Sequence, residues 1–331
     1  MTADLPARGR RNRRALVGLP SPRSATRRGD VHVDVIDPAS YRRPMSLPTT
    51  LPDQSGRTWL VTGATNGIGR EVARAAAGVG ARVLITARDA ARGEWTRREI
   101  GAASVIDVDL ASQASVREAA ARVEEPIDVL IDNAGTITAR RVESIDGHEL
   151  VFATNVLGPF ALTNRLVDRL RGRIVIVGSG AHKRSRIDFT DPHFRRRRWS
   201  VAAAYGQSKL ADMLWALALQ QKLTDRHHPA TVQLAHPGWA LTNLQNATGH
   251  ARLDGAITAA CRPFAQPADT AAASILVAAT ADLPPVSYIG PGGLGGLRGA
   301  PAHASRSPAA MDRSLAAAVW RLAAEETGTD L

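Results

Sequence analysis

The pattern that most constrains this chain is an alternation. From Arg57 onward, short β-branched or aliphatic runs take turns with longer Ala-rich segments of helical period, over about 230 residues. The spacing predicts strands at 58–62, 82–86, 104–108, 127–131, 173–177, 231–235 and 287–289. It predicts helices at 67–80, 90–100, 112–123, 147–170, 201–223 and 267–280. Regular alternation of strands and helices implies parallel pairing through helical crossovers, and a parallel sheet needs cover on both faces. The expected fold is therefore an α/β doubly wound parallel sheet of about seven strands with helices on either side. No internal repeat or second domain interrupts it. Ligands of such sheets lie beyond the carboxyl ends of the strands, so the loops there are where chemistry is sought.

Residues 1–55 stand outside this pattern. They are rich in Arg, Pro and Ser and hold no sustained period, which predicts a basic extension without a core of its own. The folded domain is expected over 56–331, with Met45 as an alternative start. Residues 1–44 carry ten Arg against four Asp, more than half of the net charge of +11, so the folded part is much less basic than the whole. With 3 Tyr and 5 Phe in the chain there is no extensive base-stacking surface, and no nucleic-acid partner is expected. The single cysteine, Cys261, excludes an intrachain disulfide and a cysteine metal cluster. No run of 18 apolar residues predicts a membrane span, and the apolar stretch at 15–19 is too short for a signal core, so a cytoplasmic location is expected. His182, His227, His228 and His236 lack ligand spacing; they are expected on the surface or in loops, with no metal and no effect of chelators. Arg195–Arg198, followed by Trp199, are expected in a solvated loop at the rim of the pocket.

The first strand runs into Gly63, Ala64, Thr65, Asn66, Gly67, Ile68 and Gly69. Glycines between a strand and a helix let the backbone turn sharply and approach a pyrophosphate, which the helix N-terminus then stabilises. The spacing is G-x-x-x-G-x-G, not the commoner G-x-G-x-x-G. An acid that binds the adenosine ribose is expected about 20 residues on. Ala87 takes that position and Arg88 follows it. A missing acid beside a guanidinium suits a 2′-phosphate, so NADP is favoured over NAD. Asp109, with Leu110 after it, is placed to meet the adenine. Asn133, Ala134 and Gly135 end the fourth strand, where small residues let the cofactor pass close.

Six motifs in order resemble the short-chain dehydrogenase/reductase family over nearly all of residues 57–290. They are T-G-x-x-x-G-I-G at 62–69, D-x-D-L at 107–110, D-N-A-G at 132–135, N-V-x-G at 155–158, Y-x-x-x-K at 205–209, and Pro237-Gly238 with Thr242. The Ala181-His182 pair, Ile187-Asp188-Phe189 and the run Tyr205 to Leu210 are similar to the retinol-dehydrogenase and WW-domain-oxidoreductase branch, as is the stretch from Tyr288 through Trp320. Asp132 replaces the usual Asn and Gly178 a Ser, neither expected to touch the chemistry. The resemblance implies a Rossmann-type fold and an NAD(P)(H)-dependent oxidoreductase acting on a small alcohol or carbonyl. It implies that Lys209 also binds the nicotinamide ribose, that Asn155 holds a water in a proton relay, and that Pro237, Gly238 and Thr242 lie against the nicotinamide.

Tyr205 and Lys209, four apart on a helix, project from one face. A free tyrosine titrates near 10, so acid/base work at neutral pH asks for a shift of about three units, roughly 4 kcal/mol. One cation at ~4 Å with an effective dielectric of ~20 supplies about that much. Ser179, ending the fifth strand, is placed to polarise the substrate oxygen; Gly178-Ser179-Gly180 is no hydrolase elbow.

Two rivals stand beside the enzyme. A redox-sensing regulator of the same fold would be expected to lose Tyr205 or Lys209, and an epimerase or dehydratase would carry G-x-x-G-x-x-G and a larger substrate domain. Leu241, Leu244, Leu253, Ile257 and Phe264 suggest an apolar substrate wall. Helix 201–223 is apolar around much of its circumference, which predicts a homodimer through helices 147–170 and 201–223, unless the apolar C-terminal helix near 315–322 covers that face within the chain.

Overall fold

The computed structural model describes residues 50–239 and 266–331. Eight strands form one sheet: β1 (Thr58–Val61), β2 (Arg82–Ala87), β3 (Ser104–Asp107), β4 (Ile127–Asp132), β5 (Leu170–Val177), β6 (Thr231–Ala235), β7 (Tyr288–Pro291) and β8 (Pro301–His303). Their order is β3-β2-β1-β4-β5-β6-β7-β8. The first seven run parallel, and β8 closes the edge antiparallel to β7, pairing Ile289 with His303. The eighth strand is the one the sequence did not signal. Three residues beginning with Pro carry no strand pattern of their own, and pairing to β7 supplies the extended conformation.

The strand side chains alternate between two cores with a period of two. Leu60, Leu84, Leu130 and Ile174 face one; Trp59, Val83, Val129 and Val175 face the other. The second core is covered by α1 (Gly67–Gly78) and α6 (Ala268–Thr280), with Ile100 from the end of α2 (Ala90–Ile100). The first is covered by α3 (Gln113–Ala121), α4 (Gly158–Leu166), α5 (Val201–Asp225) and α7 (Arg313–Thr327). The strand order reverses direction between β1 and β4, which opens a crevice at their carboxyl ends.

The helix expected over 147–170 is not one regular helix. Gly147 lies in the left-handed region, and the Glu149 carboxylate caps a first turn at Leu150–Phe152 by accepting from the Phe152 N–H at 2.9 Å. A π-helical turn, Ala153–Leu157, follows, closed by the Gly158 N–H on the Ala153 carbonyl. A 3-10 turn at Val167–Arg169 then ends α4, and β5 begins directly at Leu170. Among the described residues, Leu150–Arg169 is the one helical stretch long and apolar enough to cross a membrane. Its apolar residues pack into the core between the sheet and the neighbouring helices.

Helix α5 is buried around most of its girth because α7 lies across it in the same chain. Phe160 of α4 packs edge-on against Trp215 at 6.0 Å and Trp320 at 4.7 Å between ring centroids, and Lys222 Nζ stands 4.8 Å over the Trp320 ring. Edge-on pairs of this kind add about 0.5–1.5 kcal/mol each beyond the area they bury.

Candidate functional site

The loops after β1 and β4 are tied together by one threonine. Thr62 Oγ1 donates to the Ile131 carbonyl at 3.1 Å and accepts from the Asn133 and Ala134 N–H groups, both at 3.0 Å. Asn133 Nδ2 donates back to the Thr62 carbonyl at 2.9 Å. Two glycines make this closeness possible. Gly63 has φ +66, and a Cβ there would meet Ala134 Cα at 2.7 Å. A Cβ on Gly69, in the first turn of α1, would run into the Asn133 amide and the Gly63 carbonyl. The N-cap of α1, Asn66, has extended backbone and makes no side-chain capping bond. With no acid in its first turn, the helix presents its N–H groups and positive dipole end to whatever lies beyond it.

What lies beyond it is an open cleft of about 250 Å³. Gly63, Thr65, Asn66, Gly67, Ile68, Gly69, Arg88, Asp109, Leu110, Asn133, Ala134 and Gly135 all line it, so twelve residues singled out in the sequence converge on one cavity. Thr86, Ala87, Val108, Thr136 and Thr154 also line it and were not singled out as contacts. Thr86 Oγ1 accepts from the Gly63 N–H at 3.3 Å, which fixes the start of the glycine turn. Asp109 is held by the Ala111 N–H on one carboxylate oxygen, at 3.0 Å, and its own N–H donates to Ser115 Oγ at 2.9 Å. Asp89, after Arg88, accepts from the Arg92 N–H and caps α2.

A polar chain joins this cleft to α5. Asn155, in the π-helical turn, accepts from the Thr136 N–H at 2.7 Å through Oδ1 and donates through Nδ2 to the Thr136 carbonyl and to Ser208 Oγ, both at 3.1 Å. Ser208 Oγ donates to the Tyr205 carbonyl at 2.8 Å. A π-bulge reaims a side chain out of helical register, here toward the strand ends. Three of the four hydrogen bonds an asparagine side chain can make are thus taken among the described residues, leaving one lone pair on Oδ1.

Tyr205 is half-buried and Lys209 is buried on the same helix, with Lys209 Nζ 5.9 Å from the Tyr205 ring centroid. The ammonium donates to the Val177 carbonyl at 2.9 Å and to Asp212 Oδ2 at 2.8 Å. One correction to the sequence reading follows. Asp212 offsets part of the charge that Lys209 presents to Tyr205, so the lysine does not act as an isolated cation. Burial would depress the Lys209 ammonium, but Asp212 and Tyr205 outweigh it and hold it above its usual value. Asp212 is itself raised by burial, with Lys209 and the Trp215 indole pulling it partly back.

Asp132 proves to be no idle replacement for Asn. It is buried at the end of β4, with Thr163 Oγ1 donating to its Oδ2 at 2.8 Å and its Oδ1 without a partner among the described residues. Burial, reinforced by Asp212 and opposed by the Thr163 hydroxyl, pushes it up to about 7.

Ser179 lies two residues beyond β5, half-buried, and caps the 3-10 turn Gly180–Arg184, its hydroxyl accepting from the Ala181 N–H at 3.3 Å with its proton unclaimed among the described residues. His182, expected on the surface or in a loop, is buried within that 3-10 turn. Its Nδ1 donates to the Ser179 carbonyl at 2.6 Å while Nε2 accepts from the Ser307 N–H at 3.2 Å, tying the Ser179 turn to the C-terminal segment. His236 is buried too, its ring 5.0 Å from that of Tyr288, and burial pushes it down to about 4. His227 is exposed and His228 half-buried. Pro237 and Gly238 follow β6 but do not line the cleft; Pro237 accepts from Gln266 Nε2 at 2.6 Å. Thr242 and the apolar wall at 241–264 lie outside the described residues.

The four-arginine run is not merely solvated. The Asp191 carboxylate accepts the N–H groups of Arg195, Arg196 and Arg197 at 2.7 to 3.0 Å, which holds it down at about 2. Their side chains reach Gly147, Thr190 and Gln207. Nearby, His148, His193 and Glu326 come together with ligand atoms within 4.8 Å of one another, a cluster that spacing in the sequence could not show. Its hydrogen bonds argue against a metal. His193 Nδ1 accepts from the Glu149 N–H at 3.2 Å, so its proton is on Nε2, where it donates to Glu326 Oε1 at 2.7 Å. A metal needs that Nε2 lone pair. The cluster anchors the end of α7 instead.

Residues 57–253 match the short chain dehydrogenase family. The chain is 41% identical to mouse (Mus musculus) polyprenol dehydrogenase over 61% of its length and 65% of the relative's. It is 38% identical to human (Homo sapiens) retinol dehydrogenase 13 over 59% and 62% respectively, so both alignments span less than two thirds of those relatives. Among solved structures, a putative uncharacterized protein from Mycobacterium Paratuberculosis superposes with a TM-score of 0.74 at 38% identity, covering 85% of this chain and 96% of that one. A short chain dehydrogenase from Burkholderia cenocepacia in complex with NADP superposes with a TM-score of 0.55 at 27% identity, covering 69% and 92%. The motifs, the strand order and these matches together place the chain in the short chain dehydrogenase family, on its retinol dehydrogenase-like branch.

Proposed function

We propose that the protein is a nicotinamide-nucleotide-dependent oxidoreductase that interconverts an alcohol and a carbonyl on a small lipophilic molecule, with NADP(H) favoured. The observation that carries this reading is the joining of the two halves of the site. The glycine-lined cleft is bonded through Thr136, Asn155 and Ser208 to the backbone of Tyr205. The cleft suits a dinucleotide: Gly63 and Gly69 let the loops after β1 and β4 close together at its floor, and the uncapped N-terminus of α1 offers donors for a pyrophosphate. Arg88 on its wall, with no acid at Ala87, suits a 2′-phosphate. When bound, a nicotinamide supplies the hydride acceptor or donor.

Tyr205 takes the hydroxyl proton when an alcohol is oxidised and returns it when a carbonyl is reduced. Lys209 stabilises the phenolate, and Ser179 donates its hydroxyl proton to the substrate oxygen. Two relatives are named for apolar alcohols, and Trp239 and Leu297 form an exposed apolar pair where the chain enters 240–265, Trp239 N–H donating to the Leu297 carbonyl at 2.8 Å.

A screen of alcohols, aldehydes and ketones with NAD(H) and NADP(H) side by side tests the reading. Tyr205→Phe should then lower turnover at least about a hundredfold with cofactor binding intact, since only the proton donor is removed. Near-native turnover in that variant would sink the mechanism.

A further inference from the structure

The buried surroundings of Lys209 contain a carboxylate that hydride transfer does not call for. Lys209 and Asp212 are both almost wholly inaccessible, on one face of α5 three residues apart, with Nζ 2.8 Å from Oδ2. The second carboxylate oxygen accepts from Trp215 Nε1 at 3.3 Å, so the group is held at both ends. Lys209 donates its other assigned bond to the Val177 carbonyl at the end of β5. A buried ammonium with only a carbonyl for company would be driven to give up its proton.

We propose that Asp212 is the buried counter-ion of Lys209, holding the ammonium in place and setting the pH range over which the Tyr205–Lys209 pair works. Asp212 acts through Lys209, so it is a positioning residue. The catalytic half of this statement rests on the function proposed above; the counter-ion half does not.

The charged and titratable groups around the pair come from three elements. Asp132 faces it from β4, bonded to Thr163 of α4; Tyr205 faces it from α5 itself; Tyr288 of β7 acts on Tyr205. Removing one negative charge from this group shifts all its members in one direction, because every proton near a lost carboxylate becomes easier to remove. The Lys209 ammonium loses its partner and titrates lower. Tyr205 then faces a cation whose charge is no longer offset. Both limbs of the pH–rate bell for alcohol oxidation therefore move to lower pH.

The test uses the full chain and the variants Asp212→Asn, Asp212→Ser and Asp212→Glu. The chain has only three lysines, Lys183, Lys209 and Lys222, so isotope-labelled lysine gives an assignable signal for the Lys209 ammonium without any turnover. In either neutral variant that signal should titrate about three pH units lower than in the parent, the scale set by a charge a few ångströms away at an effective dielectric near 20. The Glu variant should titrate with the parent. In an active protein both limbs of the bell should follow the signal. An unmoved Lys209 titration in a folded neutral variant overturns the proposal, as does a uniform fall in turnover with both limbs in place. Should Asn not fold, Ser, which is smaller and equally neutral, gives the same reading. A parent protein that turns over no alcohol or carbonyl, but whose Lys209 titration responds to Asp212, would overturn the proposed function and the pH-range claim while upholding the counter-ion.

Discussion

A guanidinium gains more from a phosphate than from a hydroxyl, and Arg88 is the residue on the cleft wall able to tell the two apart. Its neighbour Ala87 is buried and neutral, and Asp89 is engaged in capping α2. A lost charge-assisted contact costs about 1.5–3 kcal/mol. Arg88→Ala should therefore weaken NADP(H) roughly ten- to a hundredfold and barely change NAD(H), measured as dissociation constants by fluorescence titration. Equal weakening of both nucleotides would reject the assignment. Asp132 supports a second residue-scale prediction, one of stability. Its folded value is raised from 3.8 to about 7, chiefly by burial. A raised acid contributes stability that is fully present below its unfolded value and is lost as pH rises through its folded value. The loss thus falls between about pH 4 and 7, where the unfolded carboxyl ionises freely and the buried one resists. Asp132→Asn removes the titration and keeps an acceptor for Thr163. The variant's melting temperature should exceed the parent's by a margin that grows from about pH 4 to about pH 8. A margin independent of pH would show that the carboxyl carries no such penalty.

The elements show which parts of the fold were legible in the sequence, and why. Strands β1 to β4 and β6 fall within a residue of their expected bounds because alternate residues face two different cores, and that period is local. The start of β5 was placed three residues late. Leu170, Arg171 and Gly172 carry no strand signature, and the pairing of Leu170 with Ile127 extends the strand. The π-helical turn at 153–157 was invisible for a related reason: its residues have ordinary helical periodicity, and only Asn155 reaching Thr136 and Ser208 shows what the irregularity accomplishes. The glycine turn and the Tyr205–Lys209 pair were legible because their geometry is set within a few residues. The Lys209–Asp212 spacing was equally local, but its meaning depended on burial. Asp132 with Thr163, His182 with Ser307, and His193 with Glu326 join residues 31, 125 and 133 positions apart, and no pattern in one sequence carries such contacts. The arginine run 195–198 reads as charge in the sequence, whereas in the fold its backbone is folded around Asp191.

At the scale of the whole molecule, the apolar girth of α5 asks what covers it. A helix against a sheet needs one apolar stripe, and α5 buries residues well beyond one stripe, from Ala204 to Leu223. Two covers were open on the sequence, a second copy or the C-terminal helix. In the structure α7 lies over α5 and α4, with Trp320 against Phe160, Lys222 stacked on Trp320, and the indole Nε1 donating to Asp330 at 2.7 Å. Lys222 also donates to the Leu331 carbonyl at 2.7 Å. The face through which helices of this kind would pair across a twofold axis is thus occupied from within the chain. Light scattering should give the mass of one chain, 35.2 kDa, from low concentration up to about 100 μM, well above the dissociation constants of weak interfaces. Trp320→Ala supplies the control. Emptying that site costs about 3–5 kcal/mol and loosens α7, so the uncovered face should then associate with rising concentration. A parent protein that doubles in mass at micromolar concentration, with Trp320→Ala leaving that dimer unchanged, would mean that assembly uses another face and that α7 has nothing to do with it.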